Sequence, residues 1–347
     1  MDLHLSDYQQ LMVDSFREFL TRQATPDAVR AAEKTAGHDA ALWGRFVDLG
    51  GHVLSLPEPA GGGGGTLLDA VLVGMECGRR VAPIPYADVV AALRLVAAAS
   101  GALPPELGGG ALATIAPAGA HTLVRSDDGR VSGRIASTRG GAVADYLAAV
   151  VGGEAALIAL DGPGVERSAP PNLGRLPMAS IDLDGVTPAA SWPLTGSAAA
   201  VARAEARLLA AAELIGAGRG AFDLALDHVK SRYQFGVAIG SFQAIQHRLA
   251  DRSTALDGAE LLLIRAASSG EDPEAFVRLS ALALLRAGEA AELAARESLQ
   301  FFGGYGFVIE YDVHLYLRFA KALRVLAHDS AVVDDALGPL AGPGSQE

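Results

Sequence analysis

Two stretches of the chain concentrate residue types able to grip a phosphorylated, aromatic ligand. In the first, 231–251, Arg232 stands at the C-terminal end of a long helical pattern, where the helix dipole favours a cation. Phe235-Gly236 and Gly240 follow, and a new helix opens at Ser241. A guanidinium offers a planar fork matched to phosphate oxygens, and a nearby aromatic ring can stack on a base. In the second stretch, 300–321, Gln300 precedes Gly303-Gly304 and Gly306. Glycines let a backbone approach a ligand closely and turn its N–H groups toward an anion. Both stretches have an ordinary alternative: Arg232 as a helix cap, and the Gly-Gly pair as a turn between helices. Neither has the context or spacing of a Rossmann fingerprint or a P-loop.

The elements that must position these residues follow from periodicity and turn chemistry. Tyr8, Met12, Phe16 and Leu20 recur every four positions, one face of a helix that can start at Ser6. Thr25-Pro26 reads as an N-cap with proline in the first turn. Asp39 can cap a helix bearing Leu42 and Phe46 that ends near Gly50-Gly51. Gly61 to Gly65 is a turn, Thr66 and Asp69 resemble a capping box, and a further helix runs from about Asp88 to Ser100. Pro104-Pro105 and 108–110 break this texture. Short Val-, Ile-, Leu- and Thr-rich pieces follow at 112–115, 122–125, 131–136, 146–151 and 156–160, with a turn at Asp127-Asp128-Gly129. Long helices are then expected over 197–231, 241–268, 272–299 and beyond 308, an antiparallel bundle. The expected class is mixed, mainly α: a helical N-terminal domain over 1–110, a small β domain over 111–195, a C-terminal four-helix bundle over 196–336 and a disordered tail over 337–347.

Composition removes several classes of function. The chain has 347 residues, half of them hydrophobic, with a formal net charge of −12. Such an acidic balance argues against a nucleic-acid partner. A single cysteine, Cys77, excludes a disulfide within the chain and a cysteine-based metal site, so no metal is expected. Its ordinary reading is a small buried hydrophobe in a helix. No basic region followed by an apolar run opens the chain, and no stretch of about 18 apolar residues occurs, so neither a signal peptide nor a membrane span is expected. A cytoplasmic protein is the simplest reading.

Together, the segments 231–251 and 300–321 resemble the two C-terminal signatures of acyl-CoA dehydrogenases in residue type, order and separation. Leu49-Gly50 through Pro57-Glu58, with the Gly61–Gly65 turn, resembles that family's first-domain turn. The resemblance covers nearly the whole chain and is to a short, divergent member of actinobacterial type. It implies a three-part fold, a tetramer and FAD bound between subunits. Arg232 would meet the pyrophosphate of FAD held by a neighbouring subunit, and Phe235 would pack on its far half. Gln300, Gly303 and Gly304 would contact the adenosine-pyrophosphate portion, with Gln243 a further candidate in the same interface. The implied reaction is α,β-dehydrogenation of an acyl-CoA. A carboxylate takes the α-proton, the thioester carbonyl is polarised, and a hydride leaves the β-carbon for the flavin. Electron-transferring flavoprotein is the usual acceptor in such a family.

The chain departs from that pattern at the base. Nine residues beyond Arg318, one of the family's locations for a catalytic glutamate, stands Ala327. The other location lies 26 residues before Arg232, and Ala206 occupies it. Glu205 and Asp329 are the neighbouring carboxylates, and a one-residue offset turns a helical side chain by about 100°. The stretches that correspond to the flavin-facing strands, 113–117 and 134–141, lack tryptophan; Ser137 and Thr138 are candidates for polar contacts, with a turn or strand edge as their alternative role. The expectation is therefore a partner subunit of a hetero-oligomeric acyl-CoA dehydrogenase. It would complete FAD sites whose flavin pocket and base belong to a second chain, as in paired actinobacterial relatives acting on bulky sterol-derived CoA esters. The alternatives are a self-sufficient homotetramer with a relocated carboxylate, a non-catalytic helical scaffold and a flavin monooxygenase.

Overall fold

A computed structural model describes residues 5–116, 121–327 and 330–338. Helix α1 (Asp7–Gln23) opens with a reciprocal cap: Ser6 Oγ accepts from the Gln9 N–H, and the Gln9 side chain accepts from the Ser6 N–H. Its buried face is Met12, Val13, Phe16 and Leu20, whereas Tyr8 is 58% exposed because it lies ahead of the first turn that packs. Helix α2 (Pro26–Ala32) is capped by Thr25, and α3 (Ala40–Asp48) by Asp39, whose Oδ1 accepts from Leu42 N at 2.9 Å. Helix α4 (Leu67–Arg79) starts from the Thr66–Asp69 capping box. Cys77 is buried within it, and burial, together with Glu213 and Glu76, pushes its thiol up.

Helix α5 (Tyr86–Ser100) begins two residues before the sequence-based boundary. Tyr86 is fully buried, and its hydroxyl donates to Ala70 O at 2.8 Å. Tertiary burial thus recruits a residue that has no local capping signal. A single turn, α6 (Pro105–Gly108), leads into the β region.

Among the described residues the β region holds eight strands in two sheets: β1 (Ala113–Ile115), β2 (Val124–Arg125), β3 (Val131–Thr138), β4 (Tyr146–Val151), β5 (Glu154–Ala159), β6 (Val165–Ser168), β7 (Ala179–Val186) and β8 (Ala190–Pro193). One sheet has the order β1-β4-β5-β8 and the other β2-β3-β7-β6. Only β1 and β4 run parallel; every other neighbouring pair is antiparallel. Ile135, Leu147, Ile158 and Ile181 pack between the sheets as a separate apolar core. The pairing of β3 with β7 shifts register between Ile135 and Thr138, an irregularity that carries the strand two residues beyond the expected 136.

The bundle follows: α7 (Ala198–Ser231), a hairpin of β9 (Tyr233–Gln234) with β10 (Val237–Ala238), α8 (Gln243–Ala267), α9 (Pro273–Phe302), α10 (Val313–Ala327) and α11 (Ser330–Leu337). A single large apolar core runs through both helical regions, from Met12 to Ala336. The crossing of α4 on α7 is set by two glycines. A Cβ on Gly216 would sit 1.9 Å from Met75 O, and one on Gly78 would sit 2.0 Å from Glu213 O. Backbone lies against backbone there, so no flexible side chain can yield. Gly216→Ala is expected to cost at least about 1–3 kcal/mol of unfolding free energy, the usual range for overpacking. Urea denaturation of the variant checks this, and a loss below about 0.5 kcal/mol would show that the crossing can open without penalty.

Among the described residues no helix is long and apolar enough to cross a membrane. Nor do any three His, Cys, Asp or Glu side chains among them converge as metal ligands.

Candidate functional site

Helix α7 ends at Ser231, and Arg232 is its C-cap, with its N–H donating to His228 O at 2.8 Å. The β9–β10 hairpin turns through Phe235-Gly236. Both have positive φ, 55° and 83°, as a two-residue type I′ turn requires. A phenylalanine in the left-handed region costs about 1–2 kcal/mol. This one is also 91% exposed.

The α9–α10 connection reaches the same end of the bundle. The Arg232 guanidinium lies 5.4 Å from the centre of the Tyr305 ring, and His228 stacks on Phe302 at 4.0 Å. No carboxylate among the described residues pairs with Arg232. Gln300 is exposed in the last turn of α9, and its carbonyl accepts from the Gly303 N–H. Gly303 has φ 58° and ψ −135°, backbone reserved for glycine, so local geometry alone demands it. Gly304 is different. Its φ is ordinary, and a Cβ there would meet nothing within 4 Å. Glycine at 304 is therefore not required by the packing of the described residues.

Phe242 packs edge-on against Phe235 at 6.2 Å, and Gln243 is exposed at the start of α8. Tyr233, Tyr305, Phe307 and Ile309 add exposed apolar area to the patch. The structure thus brings Arg232, Gln300, Gly303 and Gly304 to one end of the bundle, with Phe235 and Gln243 on the adjoining α7–α8 connection. The combination of an uncompensated cation, open backbone and exposed aromatic rings suits an anionic, aromatic ligand.

A second feature lies inside: a cavity of about 380 Å³ between α5, the β region and the bundle. Ala206 lines it, so a methyl group stands where a base is expected. Glu205 does not. Both its oxygens are held by Arg94 on α5, at 2.9 Å from Nε and 2.6 Å from Nη2, and Arg94 also donates to Ser55 O. Asp329 falls outside the described residues. Arg318 is tied to Glu33 at the end of α2. Of the expected hydroxyls, Ser137 and Thr138 both line the cavity, and Thr138 Oγ1 is engaged with Ile115 O at 3.1 Å.

Sequence reasoning missed a cluster of charges inside the molecule. Arg139 extends from the end of β3 and donates from Nε to Asp88 Oδ2 at 2.6 Å and from Nη1 to Glu213. Glu213 also accepts from the Ala87 N–H at 3.2 Å. Burial pushes Asp88 and Glu213 above the usual carboxylate range, against the pull of Arg139. Burial opposes the charge of Arg139 in turn, but the two carboxylates outweigh it and hold its pKa up. Asp88 and Arg139 both line the cavity and are bonded to each other. The three residues come from α5, the residue after β3, and α7, and no motif links them.

Comparisons with known proteins agree with this geometry. Residues 6–116 match the model of the acyl-CoA dehydrogenase N-terminal domain, and 197–332 that of the C-terminal domain. Acyl-CoA dehydrogenase IpdE2 of Mycobacterium tuberculosis is 32% identical over 314 residues, covering 89% of this chain and 90% of that protein. The ChsE4–ChsE5 complex of Mycobacterium tuberculosis contains a chain that superposes with a TM-score of 0.88 at 25% identity, covering 99% of both chains. A Tcur3481–Tcur3483 steroid ACAD gives 0.87 at 25% identity, covering 96% of this chain and 98% of that one. The chain belongs to the acyl-CoA dehydrogenase family, whose members are FAD-dependent oxidoreductases.

Proposed function

We propose that this chain is the partner subunit of a hetero-oligomeric acyl-CoA dehydrogenase that oxidises a bulky acyl-CoA at its α,β bond. It presents the Arg232 end of the bundle to FAD whose flavin pocket and base belong to a second, homologous chain. One contrast carries the reading: the ligand-facing end of the bundle is open and uncompensated, while the internal cavity has alanine at 206 and no uncommitted carboxylate among the described residues. Both solved neighbours above are named as two-component assemblies, and one is named a steroid ACAD, which supports the hetero-oligomer and the bulky substrate.

In this reading the Arg232 guanidinium bonds the pyrophosphate and Phe235 covers the far half of the cofactor. Gln300 and the open backbone at Gly303 and Gly304 line the adenosine-pyrophosphate portion, with Gln243 beside them. Bound FAD supplies the acceptor for the β-hydride. This chain's own residues bind and orient it, and their apolar rim keeps water from the contact. Purification of the chain alone and with a homologue that carries the catalytic glutamate tests the assignment, by flavin absorbance and subunit stoichiometry. FAD is expected in the mixed complex alone. A monomer saturated with FAD and turning over by itself would overturn it.

Arg232→Ala is expected to weaken FAD retention about 10–100-fold, since a hydrogen bond to a charged group contributes about 1.5–3 kcal/mol. Gly304→Ala should melt like the parent, because the added methyl meets nothing within the chain. It should nonetheless lower FAD retention by about tenfold, the loss of one such contact. Fluorescence of released flavin after dilution measures both. Unchanged retention in both variants would leave Arg232 as a helix cap and Gly304 as a turn.

A second reading, in which this chain carries its own base, has one observation in its favour: Asp88 lines the cavity and its pKa is raised. Its bond to Arg139 weighs against it.

A further inference from the structure

The wall of the cavity opposite Asp88 carries a different arrangement of charge. Arg203 and Arg207, one turn apart on α7, both line it. Both turn to the same oxygen, Asp335 Oδ2 on α11: Arg207 Nη1 at 2.6 Å and Arg203 Nη2 at 3.6 Å. Two guanidiniums therefore share one carboxylate. Arg207 is only 5% exposed, yet its Nη2 has no acceptor among the described residues, and neither has Nε of Arg203. Buried polar groups are nearly always satisfied, and a buried cation with spare donors is costly. Arg139 cannot account for the surplus, because Asp88 and Glu213 occupy it. His121, Ser137 and Thr138 add polar groups on the β side, and Ala91, Leu95, Ala202, Leu284, Leu323 and Leu326 supply apolar walls. The cavity volume of about 380 Å³ lies within the range of small-molecule sites.

We propose that this cavity binds a molecule with an apolar body and one carboxylate, the carboxylate being received by Arg207 and Arg203 in competition with Asp335. The planar fork of arginine fits a carboxylate with two parallel bonds, so a ligand carboxylate that displaces Asp335 takes over the donors now turned to its Oδ2. Arg203, about one-third exposed, stands toward the mouth and Arg207 deeper. The carboxylate belongs either to a free acid or to the far end of an acyl group carried as its CoA thioester. The cavity is the one that holds Ala206 at the expected base position, but the test reads binding alone and so does not depend on the partner-subunit reading.

Calorimetric titration of the full chain with decanoate, 1-decanol, decanoyl-CoA and decanedioyl-CoA tests the proposal. Flavin retention of the mixed complex is measured separately, so that failure here is told apart from failure at the Arg232 surface. Decanoate binding at least about tenfold tighter than 1-decanol identifies a free acid, and decanedioyl-CoA exceeding decanoyl-CoA by the same factor identifies a thioester. Arg207→Gln should weaken the preferred carboxylate about 10–100-fold, and the more exposed Arg203→Gln about tenfold. Asp335→Asn should tighten it, because the competing anion is gone; a merely structural Asp335 would move binding the other way. The proposal is overturned if neither carboxylate probe exceeds its neutral counterpart. Unchanged or weaker binding in Asp335→Asn, in folded protein, overturns it equally, and does so even if Arg207→Gln fails to fold.

Discussion

Arg139→Met is expected to lower the unfolding free energy by about 3–5 kcal/mol, the typical cost of removing one partner from a buried ionic cluster. The loss arises from what stays behind. Asp88 and Glu213, both buried, would confront each other across the gap with no cation between them. Their pKa values already lie above the usual range through burial, and loss of Arg139 removes the pull that opposes it. The sign of the pH effect follows. A carboxylate whose pKa is higher folded than unfolded binds more protons in the native state, so stability falls as pH rises. The deficit of Arg139→Met should therefore be smallest near pH 4, where unfolded carboxylates begin to protonate, and should grow as pH rises through the folded values. Urea midpoints at pH 5 and pH 8, with an unchanged slope, measure it. Arg139→Lys keeps the charge but loses the fork, and should fall between parent and Met. A deficit under about 1 kcal/mol, or one that does not vary with pH, would mean that water reaches the cluster and screens it.

The Arg139 cluster also marks where sequence reasoning ends. Helix starts at Ser6, Thr25, Asp39 and Thr66 were legible because a cap is a local bond, made within three residues of itself. The link between the Arg232 segment and the Gly303 turn came from the resemblance of both segments to one family's signatures, and the fold brings the α7–α8 and α9–α10 connections to one end of the bundle. Strands β6, β7 and β8 were not legible. In β7 the buried Ala179, Ile181 and Leu183 alternate with Ser180, Asp182 and Asp184, and two acidic residues so close together read as a loop until the partner strand β3 is known. Glu213 and Asp88 lay 74 and 51 residues from Arg139, and each was one charge on a helix with nothing nearby to explain it. Glu205 shows a partial case. Helical geometry predicted that a one-residue offset turns its side chain away from the position of residue 206. Only the fold identified Arg94 as what it turns toward.

The missing base gives the largest kinetic contrast. In the assembled complex, Glu205→Gln, Asp88→Asn and Asp329→Asn in this chain should each leave turnover within a few fold. Replacing the catalytic glutamate of the homologous chain by glutamine should lower it about 10²–10⁴-fold, the contribution of a general base. The geometry supports the first half of that statement. Glu205 is spent on Arg94, and Asp88 holds Arg139 through a charge-assisted bond at 2.6 Å. An amide in either place preserves an oxygen acceptor, so the local bonds are weakened rather than removed. Melting temperature and FAD content must match the parent before the rates are compared, since Asp88→Asn also perturbs the buried cluster. With both intact, the two magnitudes do not overlap. A hundredfold loss from Asp88→Asn would make the cavity of this chain an active site in its own right, with Arg139 as the group that tunes its base. A hundredfold loss from Glu205→Gln would require α7 to turn by about one residue on substrate binding, breaking the Arg94 pair. Small effects from all three leave proton abstraction to the other subunit, with this chain confined to holding the cofactor from the far side.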